Sequence, residues 1–121
     1  MKPNLNPHLR PISVNWENYA DDDLAFKQEL VTLMIGSLRE LQHTVRRISI
    51  GNEGDFEKAV HKSKSVLVIL GDSEFNGLIE ELKLLTSKSS FQKNEKVDRF
   101  FQISDALIRS LEGEADIQQA S

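Results

Sequence analysis

Residues 55–71 have the sequence DFEKAVHKSKSVLVILG, and the spacing of their apolar side chains predicts one amphipathic helix. At about 100° of rotation per residue, one face of this helix collects six side chains: Phe56, Ala59, Val60, Ser63, Leu67 and Leu70. Residues 66–70 alone could form a short buried strand, but the helical pattern passes through them without a break. His61 and Lys64 lie off the apolar face, so we expect a solvent-facing imidazole one turn from a lysine.

The remaining apolar patterns predict three more helices. The first begins at the aspartates of 21–23, which suit a helix N-terminus, and continues to about residue 48. It is long enough that it either overhangs its neighbours or breaks, and Gly36-Ser37 is its weakest point. A third helix is expected over 72–85 and a fourth over 95–112.

Four amphipathic helices with short connections predict an all-α fold, an antiparallel up-down four-helix bundle. Residues 1–20, with all three prolines, are expected to form an N-terminal extension or short covering segment. The bundle is predicted for 21–112, and 113–121 as a frayed C-terminal tail.

Composition excludes several function classes. The net charge of −4 and the pI of about 5.4 argue against a general nucleic-acid binder, which would present a basic face. The absence of cysteine excludes disulfides and thiolate metal sites and is compatible with a reducing compartment. No signal peptide, membrane anchor or histidine cluster for a metal is apparent, so we expect a cytoplasmic monomer without metal or cofactor.

His61 has the surroundings of a phosphoryl acceptor. An unperturbed imidazole is mostly neutral at pH 7, and its nitrogen lone pair can attack phosphorus. Lys64, one turn away, would balance the negative charge that is added. Two apolar side chains near it, Val68 and Ile69, suggest a docking surface for a partner unless the N-terminal segment covers them. Lys58 and Lys62 add positive charge to the same surface.

The segment Ala59-Val60-His61-Lys62-Ser63-Lys64, followed by Leu70-Gly71, resembles the histidine-containing phosphotransfer (HPt) domains of two-component phosphorelays. The similarity in helix order extends over about residues 22–112. It implies a carrier that accepts a phosphoryl group on His61 from the aspartate of one receiver domain and passes it to another receiver. The implied partners are a response-regulator receiver domain and a hybrid sensor kinase, and the receiver would bring the magnesium ion. The chain itself would have no catalytic machinery.

Two residues depart from the pattern of that family. Ser65 occupies a position next to His61 that is usually glycine, and its hydroxymethyl group could orient the imidazole or crowd a partner. Ser63 replaces a usually aliphatic core residue. These changes leave a second hypothesis open, an HPt-like adaptor that binds a receiver or kinase without being phosphorylated. A third hypothesis is an unrelated helical interaction module, and burial of His61 in the structure would favour it by excluding the other two.

Overall fold

The computed structural model describes residues 14, 16, 19, 23–48, 54–88 and 91–120, with side chains up to residue 114. These residues form α-helices and one short 3-10 helix, and none of them forms a strand, which confirms the all-α prediction. We number the helices of the three continuous segments in chain order: α1 (Leu24–Arg46), α2 (Gly54–Lys62), α3 (Lys64–Leu70), α4 (Ser73–Leu85), the 3-10 helix Phe91–Lys93, and α5 (Glu95–Ala120).

Helix α1 is continuous over 23 residues and is not interrupted at Gly36 and Ser37. It begins where the sequence predicts, because the Asp23 carboxylate accepts a hydrogen bond of 2.9 Å from the backbone N–H of Phe26. The side chains buried before and after Gly36 belong to one core cluster. Their burial outweighs the roughly 1 kcal/mol that a glycine costs within a helix, so the weak point does not become a break.

The predicted single helix over 55–70 is wrong in one respect, because it divides at Ser63 into α2 and α3. Ser63 has φ −92° and ψ 7°, outside the helical basin. Its backbone N–H is shared between the carbonyls of Ala59 (3.0 Å) and Val60 (3.1 Å), and its carbonyl accepts from the N–H of Leu67 (3.0 Å). The backbone therefore leaves the α-helical conformation at one residue, Ser63, and the α-helical hydrogen bonds resume after it.

The end of α3 and the start of α4 follow the predicted signals. Gly71 has φ +60°, the left-handed conformation that ends many helices. Asp72 then caps α4, since its carboxylate accepts from the N–H of Phe75 at 2.9 Å. Helix α4 ends at Leu85, also as predicted.

The predicted end of the last helix near residue 112 is wrong, because α5 continues through Gly113 to Ala120. Past Gly113, the Glu114 carboxylate pairs with the Lys27 ammonium of α1 at 3.1 Å. This ion pair holds the first residues beyond the predicted end of the helix against α1. It offsets the free-energy cost of a glycine within a helix.

The core lies between the helices. Helix α1 packs along α5 and against α2, α4 packs along α5, and α2 also contacts α4. Three phenylalanine rings meet at its centre: Phe100 stacks on Phe75 with centroids 5.4 Å apart and meets Phe56 edge-on at 6.3 Å. All three are fully buried.

Most of the predicted N-terminal segment lies outside the described residues. Val14 and Trp16 are partly buried against the core, and the Lys27 ammonium lies 4.8 Å from the centroid of the Trp16 ring. Tyr19 is 42% exposed.

Candidate functional site

His61 is the second-to-last residue of α2, and its side chain is exposed. Ser63, two residues later, is 2% exposed. Side chains two positions apart on a helix point in nearly opposite directions, so the burial of Ser63 turns His61 outward. A buried imidazole would have excluded the carrier and the adaptor, and the exposed imidazole leaves all three hypotheses open.

The imidazole lines a groove of about 740 Å³ that runs between α2 and α3 on one side and α4 on the other. The residues that line the groove are Gly54, Glu57, Lys58, Val60, His61, Lys64, Leu67, Val68, Asn76, Ile79, Glu80 and Lys83. The volume falls within the range of protein ligand sites, although the groove is open along its length.

Apolar side chains form the floor and one edge of the groove. Val60, Leu67 and Ile79 are buried and belong to the core. Val68 lines the same groove but is 67% exposed, and it lies two helical turns from His61 on the same side. Leu84 is more exposed still, so it is the position of Val68 in the groove with His61, and not its exposure alone, that suits a docking contact.

The cations divide between the groove and the opposite side of α2. Lys58 and Lys64 both line the groove, are exposed, and form no ion pair within the segments that the structure describes. Lys83 also lines it but is paired with Glu80 at 3.1 Å. Lys62 instead points towards α1, where its ammonium lies 3.4 Å from Glu40.

Ser65 is exposed on the first turn of α3 and does not line the groove. It lies one helical turn after His61, where a partner that closes over the imidazole would meet it. The resemblance placed it beside the acceptor, and the structure leaves its hydroxyl accessible from outside.

Ile69, predicted as part of the docking surface, is half-buried and packs against the core. The reason is Val66, which the predicted apolar face left out and which is only 5% exposed. With Val66 included, the buried arc of α3 is wider, and Ile69 lies about 60° from its edge. Of the two apolar residues predicted for docking, Val68 is the one that faces solvent.

The α4 side of the groove was not found from the sequence. Asn76, Ile79, Glu80 and Lys83 lie at i, i+3, i+4 and i+7, so their common face could be recognised. The sequence does not say which other helix that face meets, because this depends on how the helices pack.

The described residues offer neither a metal site nor a membrane-spanning helix. Among them, no group of histidine and carboxylate side chains could hold a metal ion, and no helix is long and apolar enough to cross a membrane. His43 lies on α1 with its Nε2 3.2 Å from the Arg47 guanidinium, and it does not line the groove at His61. His8 lies outside the described residues.

Comparison with known proteins gives no significant match to a family model, a curated protein or a solved structure.

Proposed function

We propose that this chain is a phosphocarrier of the HPt type, in which His61 accepts a phosphoryl group from a receiver aspartate and donates it to a second receiver. The observation that supports this most directly is the exposed imidazole in a groove with two cations that form no ion pair in the described segments, Lys58 and Lys64. The helix contacts, α1 with α2 and α5 and α4 with α2 and α5, suit the proposed antiparallel four-helix bundle. The proposed carrier is a cytoplasmic monomer.

The transfer step needs only the imidazole from this chain. The lone pair of the neutral ring attacks the phosphorus of the aspartyl phosphate, the new P–N bond forms as the P–O bond to the aspartate breaks, and the aspartate leaves as a carboxylate. The second ring nitrogen retains its proton. The reverse step, with a different receiver, regenerates the free imidazole.

Lys64 and Lys58 would act on the charge of the transferred group. Both are exposed, so each contributes modestly, and their effect is greatest when a docked partner excludes water from the groove. The receiver would supply the magnesium ion and its acidic pocket. Val68 would be the apolar contact that brings the two surfaces together.

Ser65 bears on the rate of this step. A serine there adds a hydroxymethyl group beside the imidazole where the resembled family usually has glycine. We expect Ser65→Gly to increase the rate of transfer if the hydroxyl obstructs the partner and to decrease it if the hydroxyl orients the ring.

A phosphotransfer assay tests the proposal. The purified protein is mixed with a panel of phosphorylated receiver domains from its own genome, and acid-labile, base-stable phosphate is measured on wild type, His61→Gln and His43→Gln. His43 is also an exposed histidine on a helix but lies outside the groove, so its variant is the matched control. We expect labelling of wild type and His43→Gln and none of His61→Gln. Failure of the whole panel to label wild type would refute the proposal.

The second candidate function is an adaptor that binds a receiver or kinase without accepting phosphate. It is favoured by the exposure of Val68, which docking explains whether or not transfer occurs. In this case His61→Gln binds its partner as wild type does, whereas Val68→Asp binds more weakly. Leu84→Asp is the control, because Leu84 is 79% exposed and does not line the groove.

A further inference from the structure

A second groove, of about 410 Å³, lies between α1 and α5. None of its lining residues lines the groove at His61, and the two grooves use different helices. Its lining is predominantly polar: Arg39, Gln42, His43, Arg46, Asp105, Ile108, Arg109 and Glu112. On α1 the first four lie at i, i+3, i+4 and i+7, so they form one face of that helix.

The two carboxylates of this groove are already engaged. Glu112 pairs with Arg39 at 2.9 Å, and the Asp105 carboxylate accepts a hydrogen bond of 2.7 Å from the Gln42 amide. Arg46 and Arg109 therefore have no acidic partner, and neither forms an ion pair anywhere in the described part of the chain. Three of the six arginines of this chain, whose net charge is −4, line the groove.

Arg46 is also held in place. Its guanidinium carbon lies 4.7 Å from the centroid of the Phe101 ring. Stacking on an aromatic face occupies the flat side of a guanidinium and leaves the N–H groups at its edge free to donate. A guanidinium fixed in this way loses less conformational entropy when it binds an anion.

We propose that this groove binds the phosphate group of a small molecule or of a phosphorylated side chain. Arg46 donates from α1 and Arg109 from α5, so donors approach the anion from two helices. A tetrahedral phosphate has oxygens in several directions to accept from both, whereas a carboxylate has two oxygens in one plane. Arg39 is paired with Glu112, and Arg46 and Arg109 together outweigh the charge of Asp105, so the groove carries a net positive charge.

Titration with inorganic phosphate at low ionic strength, followed by calorimetry and by the NMR signals of the histidine rings, tests the proposal. His43 lines this groove and His61 lines the other, so the two imidazoles report separately on the two sites. We expect saturable binding that shifts the signals of His43 and leaves those of His61 unchanged. Binding should weaken on addition of sodium chloride, because exposed charges are screened.

Two variants and a control locate the site. Arg46→Gln and Arg109→Gln should each weaken phosphate binding by about tenfold, the usual effect of one charge-assisted hydrogen bond. Lys88→Gln removes the same charge from an exposed lysine that lines neither groove and should leave binding within about twofold of wild type. If Arg46→Gln is less folded by circular dichroism, Arg109→Gln decides, because among the described residues Arg46 stacks on an aromatic ring and Arg109 does not.

The outcomes that overturn the proposal are specific. The proposal is wrong if the arginine variants bind phosphate as tightly as Lys88→Gln does. It is also wrong if phosphate shifts the NMR signals of His61 instead of those of His43, or if glutarate binds as tightly as phosphate. Tighter binding of glycerol phosphate than of a phosphoserine peptide would assign the site to a small molecule, and the reverse order to a phosphorylated side chain. None of these results depends on whether His61 accepts a phosphoryl group.

Discussion

Gln42 provides a direct test of how α1 and α5 are held together. Its side chain is 5% exposed, and its amide nitrogen donates to the Ser104 hydroxyl at 2.8 Å and to the Asp105 carboxylate at 2.7 Å. Ser104 is completely buried. The Gln42→Ala substitution removes both hydrogen bonds, deletes part of a buried side chain, and leaves the hydroxyl with only its 3.4 Å bond to the Phe101 carbonyl.

The expected loss of stability follows from these contacts. The bond to the hydroxyl contributes about 1 kcal/mol and the bond to the carboxylate about 1.5–3 kcal/mol. The lost methylene adds about 0.8 kcal/mol, and the entropy of ordering a long side chain, about 1.5–2 kcal/mol, is recovered. The net expectation is a decrease of about 2–3 kcal/mol in the free energy of unfolding, out of a total of about 5–15 kcal/mol.

Urea unfolding followed by circular dichroism measures this change. For a domain of this size the expected decrease corresponds to a midpoint shift of about 1–2 M urea with an unchanged slope. Gln102→Ala is the matched control, because Gln102 is an exposed glutamine on α5 that accepts a hydrogen bond of 3.3 Å from Arg99. Its effect should remain within about 0.5 kcal/mol. Equal shifts for the two variants would refute the assignment of a stabilising role to the buried bonds.

Three other substitutions test the packing and the helix ends, each by the same urea titration. Phe100→Ala should cost about 3–5 kcal/mol, because it empties the centre of the phenylalanine cluster, and a loss below about 2 kcal/mol would contradict that packing. Asp72→Ala should cost about 1 kcal/mol, because the hydrogen bond from the Phe75 N–H is lost. Its control is Asp98→Ala, since Asp98 is an exposed aspartate without a capping bond. Gly71→Ala should cost about 1–2 kcal/mol because alanine disfavours a φ of +60°. A steric clash adds nothing, since the new Cβ would lie 3.7 Å from the nearest atom. An unchanged free energy of unfolding would contradict the left-handed conformation of Gly71.

The parts of the fold that the sequence predicted correctly depend on local chemistry. The start of α1 at Asp23 and of α4 at Asp72 each follow from a carboxylate within reach of a free N–H two or three residues later. The end of α3 follows from the tolerance of Gly71 for a left-handed backbone. Such signals need no knowledge of the neighbouring helices, and for that reason a single sequence is enough to recognise them.

The errors occur where tertiary packing decides. Helix α5 passes its predicted end at Gly113, where Glu114 pairs with Lys27 on another helix. The sequence left open whether α1 breaks at Gly36, and the core on both sides of Gly36 holds the helix. Leu24 shows the opposite case: it is an apolar residue in the first turn of the predicted helix but is 54% exposed, since the apolar pattern of the helix begins before the core does. In each case the deciding contact is distant in sequence, so periodicity alone could not supply it.

The candidate site was predicted on one side only. His61 and Lys64 could be placed on an exposed face because both lie on the same predicted helix as its apolar residues. The opposite wall, with Asn76 and Glu80, required the packing of α4 against α2. A groove between two helices is a property of their arrangement, whereas a sequence pattern describes one helix at a time.

The distribution of ion pairs gives both grooves their character. Most surface pairs join different helices and neutralise cations there: Lys62 with Glu40, Lys96 with Glu81, Arg99 with Glu74, and Arg39 with Glu112. Exposed pairs contribute little stability individually, so their larger effect is on the local field. These ion pairs leave Lys58 and Lys64 in one groove, and Arg46 and Arg109 in the other, without a carboxylate partner among the described residues. Lys88 and Lys93, in the connection between α4 and α5, have no such partner either. A chain that is acidic as a whole therefore presents cations without a carboxylate partner beside an exposed imidazole in both grooves, His61 in one and His43 in the other.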